Sequence, residues 1–424
     1  MLVILFANVM AMFQNSAQVI AGGFLLVSTR CARYGDRAAH SVGAKLLLLL
    51  LVGGLPVTAA EIALFDGKHH HADALEFIDG DQVQLGTGPD AGATLALADA
   101  AWCRLGADIE LREQQNFVVL ADGSWLPVLR PLSLSDENDH IQVSTLLGDF
   151  SWELGTVVGY GPGAWLGQQQ FASGSDRLLT SVETLAVTID GVSADDTSEA
   201  GAVLRFQVAD LPDMSRLDLA LVQGLWLDVP QETPRSGLAW FAHPAWPPMY
   251  LRSSSSAGWQ SSDGQTASQP PVHGRIIPFG APRVPLMRLR PSAVEETGAF
   301  GVVWPYQAER NLDGSWPLAL DGQFAWQSLV IHSEARMSWN LRGRYQRLHA
   351  HVGIADYVRP QGDLIFRVLL DGRVLTEERL TGEQDGQVIS LDLRGGQELS
   401  IVVGMGERFD IGDHLVLGQA VLLR

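Results

Sequence analysis

The stretch "DLIFRVLLDGRVLTEERL", Asp363 to Leu380, alternates apolar and polar residues on both sides of Asp371-Gly372. Period-two alternation puts every second side chain on one face of a strand, and Asp-Gly tolerates the backbone angles of a two-residue hairpin turn. Gly395-Gly396 divides "VISLDLR" from "ELSIVVG" in the same manner. Strands recur from about Gly280 to Arg424 with no helical periodicity between them, which predicts a two-sheet β-sandwich.

Upstream, from Glu61 to about Pro230, the same signals repeat at longer range. Asp66-Gly67 precedes "TLALADAAWCRL" (Thr94 to Leu105), and Asp122-Gly123 precedes "FSWELGTVVGY" (Phe150 to Tyr160). The spacings are 29 residues from Asp66 to Leu95 and 28 from Asp122 to Phe150. A third copy is placed at Ser175-Asp176 and reaches "LDLALVQGLWL" (Leu217 to Leu227) after 41 residues. A period of roughly 50 residues predicts repeated small β units that bury their apolar faces against one another. Residues 231–279 carry "HPAWPP" and "RSSSSAGWQSSDGQTASQPP", a Ser/Pro/Gly texture that predicts a surface linker whose Trp240 and Trp246 pack back on a domain. The predicted order is therefore an N-terminal segment (1–60), three β-repeats (61–230), a linker (231–279) and a sandwich (280–424). The fold class is all-β.

Lys45 followed by "LLLLLLVGGLPVTAA" has the basic start, short apolar run and small residues of an export signal, with cleavage expected before Glu61. The run is shorter than the roughly 20 residues that span a bilayer. A second apolar stretch precedes it, from Met1 to Val27, and reads either as sequence upstream of a true start near Val42 or as an N-terminal membrane anchor. The expected location is outside the cytoplasm: periplasm, cell surface or medium.

Charge narrows the partners. The chain carries a net charge of -19, with 29 Lys and Arg against 48 Asp and Glu. Nucleic acid, which is held by clustered Lys and Arg, is excluded as an expected partner. Of two cysteines, Cys31 and Cys103, one lies in the segment expected to be lost, so stability must come from core burial.

Between Val302 and Leu423 the residues resemble a known family. Ile-His-Ser (Ile331 to Ser333), Val-Gly-Ile (Val352 to Ile354), Phe-x-Val-x-x-Asp-Gly (Phe366 to Gly372) and Asp413-His414 follow one another in the order found in the NPCBM (NEW2-type) family of carbohydrate-binding modules. That family accompanies family-98 glycoside hydrolases and many exported bacterial proteins, and the upstream repeats are similar to regions that accompany it. The resemblance covers about one third of the chain. It implies a galactose-binding-like jelly-roll sandwich that attaches its parent protein to a glycan or polysaccharide. Carried over residue by residue, it marks Trp304, Tyr306, Arg310, Asn311, His332, Asp356, Asp413 and His414 as carbohydrate-binding candidates. Sugar recognition needs an aromatic face against a pyranose and fixed hydrogen-bonding groups for its hydroxyls, and this set holds both. Three positions depart from the family pattern: Ala355 and Gln419 replace acids, and Leu417 replaces a tryptophan.

No catalytic residue, metal ligand set or cofactor is expected; a structural calcium is the single cofactor alternative. His349 and His351 sit two apart on a predicted strand and read, with Arg347, as its solvent face. His69 to His71 reads as a polar loop. "GMGERFDIGDH" lacks the third glycine and following helix of a dinucleotide loop. The chain therefore reads as an exported, non-catalytic carbohydrate-binding protein. Two alternatives stand beside it: an envelope structural or protein-interaction protein whose sandwich has lost its sugar site, and an enzyme or accessory of the glycoside hydrolase class.

Overall fold

The computed structural model describes residues 60–424 except 112–114, 135–139, 171–173, 196, 199–200, 210, 212, 255 and 299–300. The expected export signal lies outside the described residues. Two β-rich regions share this span.

In the first region each strand that follows a turn pairs back on its predecessor, and a later strand returns to the predecessor's other edge. Ala60–Leu64 pairs with His69–Ala72 on one side and Ala100–Arg104 on the other. Asn116–Leu120 likewise lies between Trp125–Pro127 and Val157–Pro162. Asp176–Leu179 lies between Thr184–Ala194 and Gly224–Trp226. Gly237–Phe241 lies between Met249–Ser254 and Arg275–Phe279.

Among the described residues this region thus holds four copies of one unit. The segment read as a linker supplies the fourth, and its Ser/Gly-rich residues form the loops between short strands. Ser175-Asp176, read as the turn of the third copy, instead opens a strand; the turn is Thr180 to Glu183. The histidine run is also a strand, paired with Ala60–Leu64.

The first and fourth units join through their return strands into a seven-stranded sheet, and the second and third join into an eight-stranded sheet. The two sheets enclose a common core that includes Ile62, Cys103 and Trp240 from one and Phe117, Val157 and Leu225 from the other. Strand Gly237–Phe241 is apolar on both faces: Leu238 and Trp240 enter this core, whereas Ala239 and Phe241 point the opposite way. A strand buried on both sides loses alternation, and so its sequence signal.

The second region is a sandwich. A six-stranded sheet runs Gln307–Ala308, Leu329–His332, His414–Leu423, Arg347–Ile354, Gln387–Asp392, with Arg283–Pro285 also on His414–Leu423. A five-stranded sheet runs Ala293–Glu296, Ala335–Asn340, Glu398–Met405, Asp363–Leu370, Arg373–Thr381. Met337, Phe366 and Ile401 from the second meet Ile331, Leu348 and Leu415 from the first in a closed core. The Asp371-Gly372 turn is of the expected hairpin kind, with φ of 51° and 79°. The fold is all-β, a β-sandwich preceded by small β-rich repeats.

The two regions are packed together. Phe324 and Trp326 insert against Ala239, Phe241, Tyr250 and Phe279, the back of the seven-stranded sheet. Trp316 joins a second stack with Trp125 and Trp246. Arg283, nearly fully buried, donates to the carbonyls of Leu97, Ala98, Ala100 and Pro278, closing a loop of the first unit onto the sandwich. Charge-assisted hydrogen bonds are the strong kind.

Candidate functional site

Strands Leu329–His332 and His414–Leu423 are antiparallel neighbours whose register sets His332 directly opposite His414. Opposed side chains on one face touch, and the two imidazoles meet edge to face at 5.4 Å between centroids. Trp304, arriving on the loop before Gln307–Ala308, stacks on His332 at 6.2 Å and tilts over His414 at 6.0 Å. Tyr357, on the short helical turn Asp356–Val358, closes the other side at 5.2 Å from His414, and its hydroxyl is hydrogen-bonded to His414 Nδ1. The imidazoles are 4% and 7% exposed, whereas Trp304 and Tyr357 are 37% and 40% exposed. The result is a histidine floor between two accessible aromatic rings.

Burial pulls the pKa of His332 below its ordinary value and takes His414 down to about 4, with the neighbouring His332 adding to the shift. Both rings are therefore neutral at neutral pH. A neutral imidazole presents one donor and one acceptor, as a sugar hydroxyl does. Asp413 lies fully buried beneath the floor and accepts from the Asp363 amide at 2.8 Å. Burial pushes its carboxyl up to about 7.

The remaining candidates are placed elsewhere. Tyr306 packs on the sandwich core, with its amide donating to Glu296 at 2.6 Å. Arg310 donates to Gln307 at 2.8 Å, and Asn311, 3% exposed, donates to Ser315 Oγ and the Pro317 carbonyl. These three shape the loop that follows Trp304. Asp356 accepts from the amides of Asp321 and Gly322 at 2.9 and 2.7 Å, clamping a turn, while its neighbour Tyr357 faces the histidines. Tyr357 escaped the sequence reading; an aromatic on an exposed turn directly after the Gly-Ile-x-Asp motif is the signal that could have found it. The departures from the family pattern do not touch the rings. Ala355 and Leu417 are core residues, and Gln419 lines a cavity between the two regions.

His349 and His351 are not on a solvent face. Phe65 of the first region meets the His349 ring edge-on at 4.9 Å, and His351 Nε2 lies 3.0 Å from Asp321. Among the described residues, no group of three or more His, Cys, Asp or Glu side chains is placed to hold a metal ion, and no helix is long and apolar enough to cross a membrane.

Comparison with known proteins adds the following. No curated protein matches the chain. Among solved structures, the CBM51 module of Clostridium perfringens GH95, determined with methyl-galactose, is 19% identical over 33% of this chain and 99% of its own, with a TM-score of 0.30. The tandem CBM51 modules of a family 98 glycoside hydrolase from Streptococcus pneumoniae are 12% identical over 74% of this chain and 89% of their own, with a TM-score of 0.30. The CBM51-2 and INT domains of Clostridium perfringens ZmpB, determined with GlcNAc, are 15% identical over 56% of this chain and 40% of their own, with a TM-score of 0.31. Residues 286–423, the C-terminal third of the chain, match the family model of the NPCBM/NEW2 domain.

Proposed function

We propose that the chain is an exported, non-catalytic carbohydrate-binding protein whose glycan site is the cluster of Trp304, His332, Tyr357 and His414. The observation that carries this reading is the pairing of two exposed aromatic rings with two neutral, buried imidazoles, set in a domain of a carbohydrate-binding family. Aromatic faces hold the apolar side of a pyranose, and the His414 ring nitrogen not bonded to Tyr357 reads a hydroxyl. Binding without cleavage is favoured by the match of this domain to a family of carbohydrate-binding modules. The export signal pattern at Lys45 supports a location where polysaccharides are met.

A glycan array probed with the full chain tests the proposal. Neutral glycans are expected to bind, and Trp304→Ala and His414→Ala are each expected to weaken binding at least tenfold, a loss of about 1.4 kcal/mol. A folded chain that binds no glycan, or variants that bind as the parent does, would overturn it.

A further inference from the structure

Between the back of the seven-stranded sheet and the back of the six-stranded sheet lies a cavity of about 730 Å³, open to solvent on one side. Its size is that of a small-molecule or oligosaccharide pocket. Three guanidinium groups line it: Arg104, Arg275 and Arg347. Such a concentration is notable in a chain of net charge -19.

Arg104 and Arg275 stand directly opposite one another on paired strands. Like charges in that position destabilise a sheet. Neither has an ion-pair partner among the described residues; Arg104 lies over the Trp102 ring and Arg275 over Phe241, and Asp108 is the one acid whose field favours the charge on Arg275. Arg275 Nη2 and His349 Nδ1 are buried on the cavity wall with no hydrogen-bond partner. Burying a donor without a partner costs roughly 1–3 kcal/mol, more for a charged group.

The acids of the wall are not paired with Arg104 or Arg275, although Asp392 stands opposite Arg347. Asp66 is held by Lys68 at 2.7 Å and Asp392 by Arg394 at 2.8 Å, both cations lying outside the lining. Arg347 is fixed by the Phe65 carbonyl at 2.6 Å, so its charge stays in the cleft.

We infer that this cleft is a second ligand site, separate from the histidine floor, and that it takes an acidic saccharide whose carboxylate or sulfate group rests on the Arg104–Arg275 pair beside Trp102. An anion there removes the repulsion between the two arginines and supplies the missing acceptor. Planar guanidinium forks suit carboxylate and sulfate oxygens. The anionic part of the inference rests on the arginines alone, whereas the saccharide part rests on the carbohydrate reading proposed above.

Calorimetric titration of the full chain distinguishes the two. The probes are a trimer of galacturonic acid, a sulfated heparin-derived oligosaccharide and a neutral galactose trimer. At least one acidic probe is expected to bind, more weakly as salt rises. Arg104→Gln, at the solvent side, and Arg275→Gln are each expected to weaken that binding at least tenfold, and Trp304→Ala to leave it unchanged. The identity of the binding probe separates carboxylate from sulfate recognition. Failure of both acidic probes with the folded chain overturns the inference, as does acidic binding that survives Arg104→Gln or is lost with Trp304→Ala. Acidic binding that follows the arginines, without any neutral glycan bound on the array, upholds the cleft while removing the site proposed at the histidine floor.

Discussion

Asp413 and the two histidines above it titrate in opposite senses. The Asp413 carboxyl is raised to about 7 by burial, so the folded chain holds its proton where the unfolded chain has released it. Stability from this group is complete below the ordinary aspartate value near 3.8 and is lost as pH rises toward 7. His332 and His414 are lowered, His414 to about 4. Their contribution is complete above the ordinary histidine value near 6.5 and is lost as pH falls toward 4. Asp413→Asn mimics the protonated acid and keeps the acceptor for the Asp363 amide. It should therefore raise Tm less at pH 5 than at pH 9, with each kcal/mol appearing as roughly 2–4 °C. Thermal melts at the two pH values check this; an equal shift at both would mean that Asp413 is not protonated in the folded state at pH 5.

At the scale of elements, the short helix Gly163–Gln169 shows how tightly the first region is joined to the sandwich. A methyl group on Gly167 would stand 1.8 Å from the Trp316 ring, and one on Gly163 would stand 2.4 Å from Trp246. Alanine favours a helix over glycine by about 1 kcal/mol, but the ring cannot stay in its stack with the added carbon, and overpacking costs roughly 1–3 kcal/mol. Gly167→Ala is accordingly expected to lower Tm by several degrees, and an unchanged melt would show that the tryptophan stack yields freely. Elements were legible where turn chemistry and alternation coincide. Asp371-Gly372 marked its hairpin because both residues need positive φ, and Asp66-Gly67 and Asp122-Gly123 marked two true units. The third unit turns at Thr180 to Glu183, where the Thr180 hydroxyl holds the loop and no glycine announces it. The fourth was hidden by its two-sided apolar strands and its Ser-rich loops. Of the candidate site, His332, His414 and Trp304 were legible through motif order, whereas the positions of Asp356 and Asn311 depended on hydrogen bonds that no local pattern reveals.

For the whole molecule, the aromatic contacts between the regions decide what can be separated. Phe324 and Trp326 are buried against the seven-stranded sheet in the intact chain. Removing residues before 280 uncovers both, and each large side chain returned to water costs roughly 1.5–3 kcal/mol. A fragment of 280–424 should therefore melt below the full chain and self-associate, as differential scanning calorimetry and light scattering would show. A fragment as stable and monomeric as its parent would mean that the contact contributes little. The same packing makes the acidic-saccharide cleft a property of the intact chain, since Arg104 and Arg275 come from one region and Arg347 and His349 from the other.

The pairing of the first unit with the fourth also sets an order in time. A chain emerging N-terminus first exposes Ala100–Arg104 well before Arg275–Phe279 arrives to cover its edge, whereas the second and third units follow one another and can join at once. Closing the longer loop costs more entropy and comes later. Folding therefore begins in the middle of this region and finishes at its ends, and the wall of the cleft that carries Arg104 and Arg275 is assembled last.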